Sequence, residues 1–375
     1  MWIGLLTILE PSNMMSCVIF ENVIKMCEIE TEPLCSVIIL NYQGCGIIKE
    51  CIMSVLNNDY KNVEIILVDN SSDDGSYEEA EKLLENFSEK KIIRNRANLG
   101  FTKGYNQGME IAQGDYYLLL NNDTILEEHA IRNYIRFFIQ NPRVGLAEGR
   151  IVNRLHSMEG YVSNPNIVSL FGILDHESGP VPGSSQFASV SRIYSPIGVW
   201  PMFKKEVYKS IGGYDEDYWL VEEIRDLSAR VWLSGLEVGY VYDAIVYHIG
   251  RLTLVKATYG DNIALSGLFH ATKNSLMFAI KNYELNTLIV ICIPYLFVKI
   301  IDVIESLRYG RRFFLIKLKA YLWVFQNLPK LLLKRKEISA IRKIRDRDAL
   351  RFLKKINIQN AVWSHISVMS SLKKG

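Results

Sequence analysis

The feature that most constrains this chain is a series of short, unbroken apolar runs separated by segments of helical period between residues 36 and 121. SVIILN (Ser36–Asn41), VEIILVD (Val63–Asp69) and YYLLLN (Tyr116–Asn121) are apolar on successive residues rather than on alternate ones. A strand that is apolar on both faces needs cover on both faces, which is the condition of a parallel sheet between helices. Between the runs, Gly46–Asn57 carries Ile47, Ile48, Cys51, Val55 and Leu56 at amphipathic-helix spacing, and NSSDDGS leads into a second helix over Tyr77–Phe87. A weaker strand at Lys91–Arg94 and a helix near Thr102–Ala112 complete a β-α-β-α-β-α-β series. The predicted class is α/β, a Rossmann-like, mostly parallel sheet flanked by helices.

In such sheets ligands bind beyond the carboxyl ends of the strands. Those ends are polar here: Asn41-Tyr42, Asp69-Asn70 and Asn121-Asn122-Asp123. Any one of them could be ordinary turn chemistry. Three on one predicted edge imply a site. The chain has neither GxGxxG after its first strand nor GxxxxGK[ST] anywhere, so a diphosphate at this edge needs another source of positive charge. A divalent cation held by a carboxylate supplies it, and Asp123 is the residue placed to hold one.

Charge is distributed unevenly. Residues 299–375 hold 19 Lys and Arg against 5 Asp and Glu, so +14 of the formal net charge of +2 lies there and −12 in residues 1–298. The stretch from Ile300 to Ile338 mixes apolar, aromatic and cationic residues at roughly helical spacing, which favours an interfacial helix on an anionic membrane over a nucleic-acid arm. An amphipathic helix packed on the protein's own core is the competing reading. The longest apolar run, Leu288–Val298, is 11 residues with Pro294 inside, against about 20 for a spanning helix. It could dip into a membrane but not easily cross one. The start, MWIGLLTIL, lacks a basic leader, so no signal peptide is expected. Residues 1–34 read as a poorly defined extension, with Met14, Met15 and Met26 as alternative starts. The six cysteines form no CxxC pair, which points away from a zinc cage or a disulfide framework and toward a reducing, cytoplasmic setting.

Four motifs carry a resemblance: SVIILNYQG, ILVDNSSDDGS, NLGFTKGYNQGMEIAQGDYYLLLNNDT and IGGYDEDYWLVEEIRDLSARVWLSGLEVGYVYDAIVYH. Together they are similar to the family 2 glycosyltransferases of GT-A fold, in particular a rhamnosyltransferase-like branch, over about residues 35–250. The resemblance implies an inverting transfer from a nucleotide-diphosphate sugar to a saccharide acceptor, commonly lipid-linked, in cell-surface glycan synthesis. It implies a divalent metal, Mn or Mg, and a peripheral place on the inner face of the cell membrane. Asn41, Tyr42 and Asp69 would surround the nucleoside, and Asn121, Asn122 and Asp123 occupy the DxD position, with Asn121 replacing its first aspartate. Asn98, Gly100, Lys103, Gly104 and Asn106 fall in the loop and helix start that line the donor pocket. Asp215, Trp219 and Glu222 fall in the acceptor segment. Glu223 aligns with the catalytic base, followed by Ile224 where an aspartate is usual, and Asp226 with a second acidic position. His248 resembles the histidine that completes the metal's coordination.

The implied organisation is an extension over 1–34, a transferase domain over 35–255 with a nucleotide-binding half (35–125) and an acceptor half (126–255), and a basic helical region over 256–375. Two other readings compete. Asn121 and Ile224 are compatible with an inactive homologue that binds nucleotide-sugar or glycan. A sugar-phosphate nucleotidyltransferase shares the sheet type, but NYQGCGIIKE lacks its Gly-rich basic loop. Nucleic acid is not an expected partner, since the acidic body carries no recognition motif.

Overall fold

A computed structural model describes residues 32–153, 192–249 and 261–350. The expectations for residues 1–31 and for the end of the basic tail lie outside the described residues. The first strands form where the apolar runs lie: β1 (Cys35–Asn41), β2 (Val63–Asp69), β3 (Lys90–Arg94) and β4 (Tyr116–Asn121). Between them run α1 (Ile48–Leu56), α2 (Ser76–Leu83) and α3 (Phe101–Ile111). Then come β5 (Thr124–Leu126), α4 (Ala130–Gln140), β6 (Val144–Asn153), β7 (Met202–Lys204), α5 (Lys205–Ile211), α6 (Glu223–Leu233) and β8 (Glu237–His248).

Among the described residues the strands make an eight-stranded sheet in the order β3-β2-β1-β4-β7-β6-β8-β5. The β3-β2-β1-β4 block is parallel, as is the β6-β8 pair, while β7 and β5 join antiparallel. Successive residues on each strand bury on opposite faces. Val37, Ile39, Ile65, Leu67, Leu118 and Leu120 lie in one core with α1 and α4. Ile38, Ile66, Val68, Tyr117 and Leu119 lie in another with α3 and α6. Each such side chain contributes roughly 1.5–3 kcal/mol on burial, which is why the continuous runs settle as inner strands.

The C-terminal region is helical: α7 (Asp261–Asn282), α8 (Leu285–Ser306), α9 (Arg311–Gln326), α10 (Leu328–Ile341) and the short α11 (Asp346–Ala349). The single interfacial helix expected across Ile300–Ile338 is broken twice. Gly310, at φ +119°, separates α8 from α9, and the proline in the first turn of α10 starts a new helix. Part of this region packs on the protein's own core. Ile291, Tyr295, Val324, Leu331 and Ile338 are buried, whereas Leu285, Ile289, Val290, Ile293, Phe297 and Ile300 of α8 stay exposed. No single described helix is long and apolar enough to cross a membrane; the two parts of α8, bent by 50° between Ile293 and Tyr295, reach that length and composition only together.

Candidate active site

Register brings the three strand ends level: Asn41 pairs with Asp69 across β1-β2, and Leu40 with Asn121 across β1-β4. Asn41 is the hub beneath this edge. Its Nδ2 donates to Asp69 Oδ1 (2.8 Å), Ser76 Oγ (3.0 Å) and Ser72 Oγ (3.2 Å), while its Oδ1 accepts from Asn122 Nδ2 (2.8 Å). Asp69 further accepts from the Ser72 amide (2.9 Å) and hydroxyl (2.6 Å). Asn41 and Asp69 are fully buried, so what they visibly do is hold the edge in shape. The aromatic ring that faces out from it is Tyr42, 47% exposed, with the area to stack on a flat ligand.

Beyond β4 the chain turns into β5, which pairs with β8 so that Thr124 stands opposite His248. That pairing sets Asp123 Oδ2 3.2 Å from His248 Nε2. One carboxylate oxygen and one imidazole nitrogen make a donor pair that suits Mn, and Mg less well. Among the described residues no group of three or more His, Cys, Asp or Glu could hold a metal. The pair therefore fits a cation whose remaining ligands are diphosphate oxygens and water, the usual manner of binding at phosphate-transfer sites. Asn121 takes no visible part in it: its Oδ1 accepts from the Tyr105 hydroxyl at 3.0 Å.

Tyr105 is fully buried on α3, and burial pushes its phenol up, with the charges of Asp123 and Glu223 adding to the shift. Glu223 opens α6, a helix buried on every residue. Polar side chains in such a helix need partners. Asp226 accepts from Lys281 (2.9 Å), Arg230 (3.0 Å), Asn282 (2.8 Å) and the Tyr218 hydroxyl (3.1 Å), and Arg225 donates to Glu222 (2.7 Å). Glu223 Oε2 differs, for it is buried with no hydrogen-bond partner. Burial, assisted by the neighbouring Glu222 charge, pushes its carboxyl up to about 7. A carboxylate of that kind is a competent proton acceptor near neutral pH.

Residues 36–174, from β1 to beyond β6, match the sequence model of glycosyl transferase family 2. Over that segment the chain is similar to glycosyl transferase family 2. An uncharacterized glycosyltransferase of Haemophilus influenzae is 32% identical over 109 residues, 29% of this chain and 44% of that protein. The poly-beta-1,6-N-acetyl-D-glucosamine synthase of Staphylococcus epidermidis is 26% identical over 201 residues, 53% of this chain and 46% of that protein. This chain thus spans less than half the length of these relatives. Among solved structures, S. aureus TarS 1–349 in complex with UDP-GlcNAc superposes with a TM-score of 0.53 at 14% identity, covering 90% of this chain and 92% of that one. At that identity the likeness speaks to fold alone, and it agrees with the GT-A class.

Several of the expected site residues have structural partners within the protein. Asp226 is not available as a second base. It is fully buried under four donors, and Lys281 and Arg230 hold its carboxyl well below the usual range. Asp215 caps a 3-10 turn over Glu216–Tyr218, accepting from the Asp217 amide (3.0 Å), and is ion-paired to Lys281 and Lys334. Asn106 spends its amide on both polar groups of Tyr214 (2.8 and 2.9 Å), tying α3 to the acceptor side rather than to a donor. Gly104 faces the sheet, where an added Cβ would lie 2.4 Å from Leu40 Cδ1. Gly100, at φ +87°, likewise leaves room for the Trp219 indole, not for a ligand. Trp219 stacks on His270, centroids 5.0 Å apart, and Glu222 is held by Arg225. Asn98 accepts from the Gly100 amide at 2.9 Å, and Lys103 is exposed on α3.

Ile224, where the family places an acid, packs into the core, with Gly198 close enough that an added Cβ there would meet it at 3.1 Å. Sequence reasoning missed Glu148, a fully buried carboxylate that accepts from the amides of Ile197 (2.6 Å), Gly198 (3.0 Å), Val199 (2.9 Å) and Trp200 (3.3 Å) and so shapes the loop against Ile224. Its one signal was an acid amid the apolar residues of VGLAEGRIV. Asn274, Lys273 and Lys281 gave no local signal, because their partners lie more than 50 residues away.

Proposed function

We propose that this chain is an inverting glycosyltransferase that moves a hexosyl or rhamnosyl group from a nucleotide-diphosphate sugar to a saccharide acceptor, lipid-linked, in cell-surface glycan synthesis. The observation that carries the reading is the buried, unpartnered carboxylate oxygen of Glu223, taken with the Asp123–His248 pair. Tyr42 stacks on the nucleoside base. Glu223 takes the proton of an acceptor hydroxyl as that oxygen bonds to the anomeric carbon from the face opposite the diphosphate. The bond from that carbon to the phosphate oxygen breaks, and the nucleoside diphosphate leaves. Asp123 and His248 would hold a divalent cation, which when bound neutralises charge on the diphosphate. That contribution is on the order of several kcal/mol.

An anionic membrane surface on the inner face of the cell membrane is proposed as the second partner. The exposed apolar stripe of α8 runs toward the exposed cations Arg308, Arg311 and Arg312, the pairing that favours interfacial binding. A saccharide carried on a lipid would then meet the site at that surface. Calorimetry with UDP, GDP and dTDP, with and without manganese, tests the donor half. One of the three should bind more tightly with the metal, and Asp123→Ala should abolish the metal's effect. Transfer from a matching donor should drop further in Asp123→Ala than in Glu223→Gln. If Asp123→Ala transferred at the wild-type rate, the reading of this edge would be wrong.

A further inference from the structure

The turn that leads into Glu223 is strained. Trp219 (φ +61°), Val221 (φ +67°) and Glu222 (φ +69°) all adopt left-handed backbone, and none is glycine. Each such residue costs on the order of 1–3 kcal/mol, a β-branched valine most of all, and persists only where the surroundings over-determine it. Glu222 is also the N-cap of α6, and its side chain makes no capping hydrogen bond. Within the helix, Arg225 holds the Glu222 carboxylate (2.7 Å) and the Asp226 amide takes its carbonyl (3.0 Å), but neither reaches the turn before it.

The surroundings that do fix it come from the C-terminal layer. Asn274 of α7 is fully buried, and its Nδ2 lies within hydrogen-bond reach of three carbonyls of the turn: Tyr218 (3.0 Å), Leu220 (2.8 Å) and Val221 (2.6 Å). Lys273 donates to the Asp217 carbonyl, and the Phe101 amide at the start of α3 takes that of Trp219 (2.9 Å). Every carbonyl from 217 to 221 thereby has a donor within reach, three of them sharing the two hydrogens of one amide group.

We propose that Asn274 is a positioning residue for Glu223: from a helix outside the matched family 2 segment, it clamps the strained turn whose end aims that carboxylate. The inference rests on the reading of Glu223 as the base. An asparagine serving only general stability would satisfy ordinary loop carbonyls, whereas this one holds the backbone conformation directly preceding the base. Release of the turn lets Glu222 and Glu223 relax and admits water to the buried carboxyl. The groups facing Glu223 are Glu222 on its own element, Tyr105 of α3 and Tyr214 ahead of the 3-10 turn; the change involves none of them directly.

The test follows the Glu223 carboxyl by carbon NMR on full-length protein labelled at glutamate side-chain carboxyls, with Glu223→Gln assigning the signal. In Asn274→Ala the midpoint should fall from about 7 toward the ordinary value near 4.3. The affinity for the nucleotide diphosphate should stay within about twofold, since the donor edge is untouched. Turnover should fall about 100-fold, the usual cost of a displaced catalytic group. If Asn274→Ala does not fold, Asn274→Ser, which keeps one donor, is titrated in its place. A folded variant with an unmoved midpoint overturns the proposal. A moved midpoint, together with wild-type transfer by Glu223→Gln, upholds the clamp and removes the base assignment instead.

Discussion

The chemistry rests on how two neighbouring acids on α6 are treated by their surroundings. Asp226, under Lys281 and Arg230, is held ionised, whereas Glu223, desolvated and with its Oε2 unpartnered, is held partly protonated near neutral pH. The sign for Glu223 is that of a folded-state value raised above the unfolded one. The protonated form is what the fold accommodates, so stability from this site is fully present below about 4.3 and is lost as pH rises through about 7. Glu223→Gln should therefore raise the melting temperature at pH 8 while leaving it nearly unchanged at pH 4, with a gain at pH 8 on the order of 3 kcal/mol. Activity runs the opposite way. Turnover of the wild type should fall about tenfold per unit as pH drops below about 7, and Glu223→Gln should lose roughly 100- to 10,000-fold. Denaturation and rate profiles on the same two proteins check both; an equal stability difference at pH 4 and pH 8 would refute the buried-acid assignment. Asp226→Asn should behave differently. It leaves Arg230 inside the protein without a countercharge and Lys281 with Asp215 alone, and should cost about 3–5 kcal/mol in denaturant unfolding.

At the scale of elements, α3 shows how close packing substitutes for a ligand contact. An added Cβ at Gly108 would lie 2.4 Å from Ile38 Cγ2, and one at Gly104 as close to Leu40, so the helix lies flat on β1. Gly108→Ala forces the helix outward or Ile38 off its rotamer, and a loss of about 1–3 kcal/mol in chemical denaturation is expected. The same helix marks what could be read from the chain. VEIILVD and YYLLLN bound their strands to the residue, because burial on both faces leaves no competing period. The polar ends at 41, 69 and 121–123 do meet on one edge, since parallel register aligns the strands' carboxyl ends. The glycines of NLGFTKGYNQG were legible as close approaches, but not what approaches: in space it is Leu40, Ile38 and Trp219. Side chains such as Asn106 and Asp215 are polar in sequence and structural in space, because their partners come from distant elements. The antiparallel insertion of β7 was illegible for the same reason, for it depends on pairing across residues with no common local pattern.

At the scale of the whole molecule, the C-terminal helices are both candidate membrane face and part of the acceptor side. Lys330 and Lys334 of α10 pair with Asp217 and Asp215, and Ile291 and Tyr295 of α8 lie in the same core as α6. Deleting everything after Asn286 would therefore expose that core and free Asp215 and Asp217 of two lysines, so loss of vesicle binding by such a truncation would not separate docking from unfolding. Substitution on the outer face does separate them. Val290 is 76% exposed, Ile293 81% and Phe297 56%, so glutamate at these positions strands no buried group. Each adds a charge that repels an anionic surface and removes an apolar side chain that would enter it. Val290→Glu, Ile293→Glu and Phe297→Glu combined should leave the melting temperature within a few degrees of wild type while moving the protein from pellet to supernatant when sedimented with anionic vesicles. Charge-neutralising substitutions at Arg311 and Arg312 should weaken binding to anionic but not to neutral vesicles, and added salt should have the same effect. If the triple variant still sediments with anionic vesicles as the wild type does, the α8 face is not what meets the membrane.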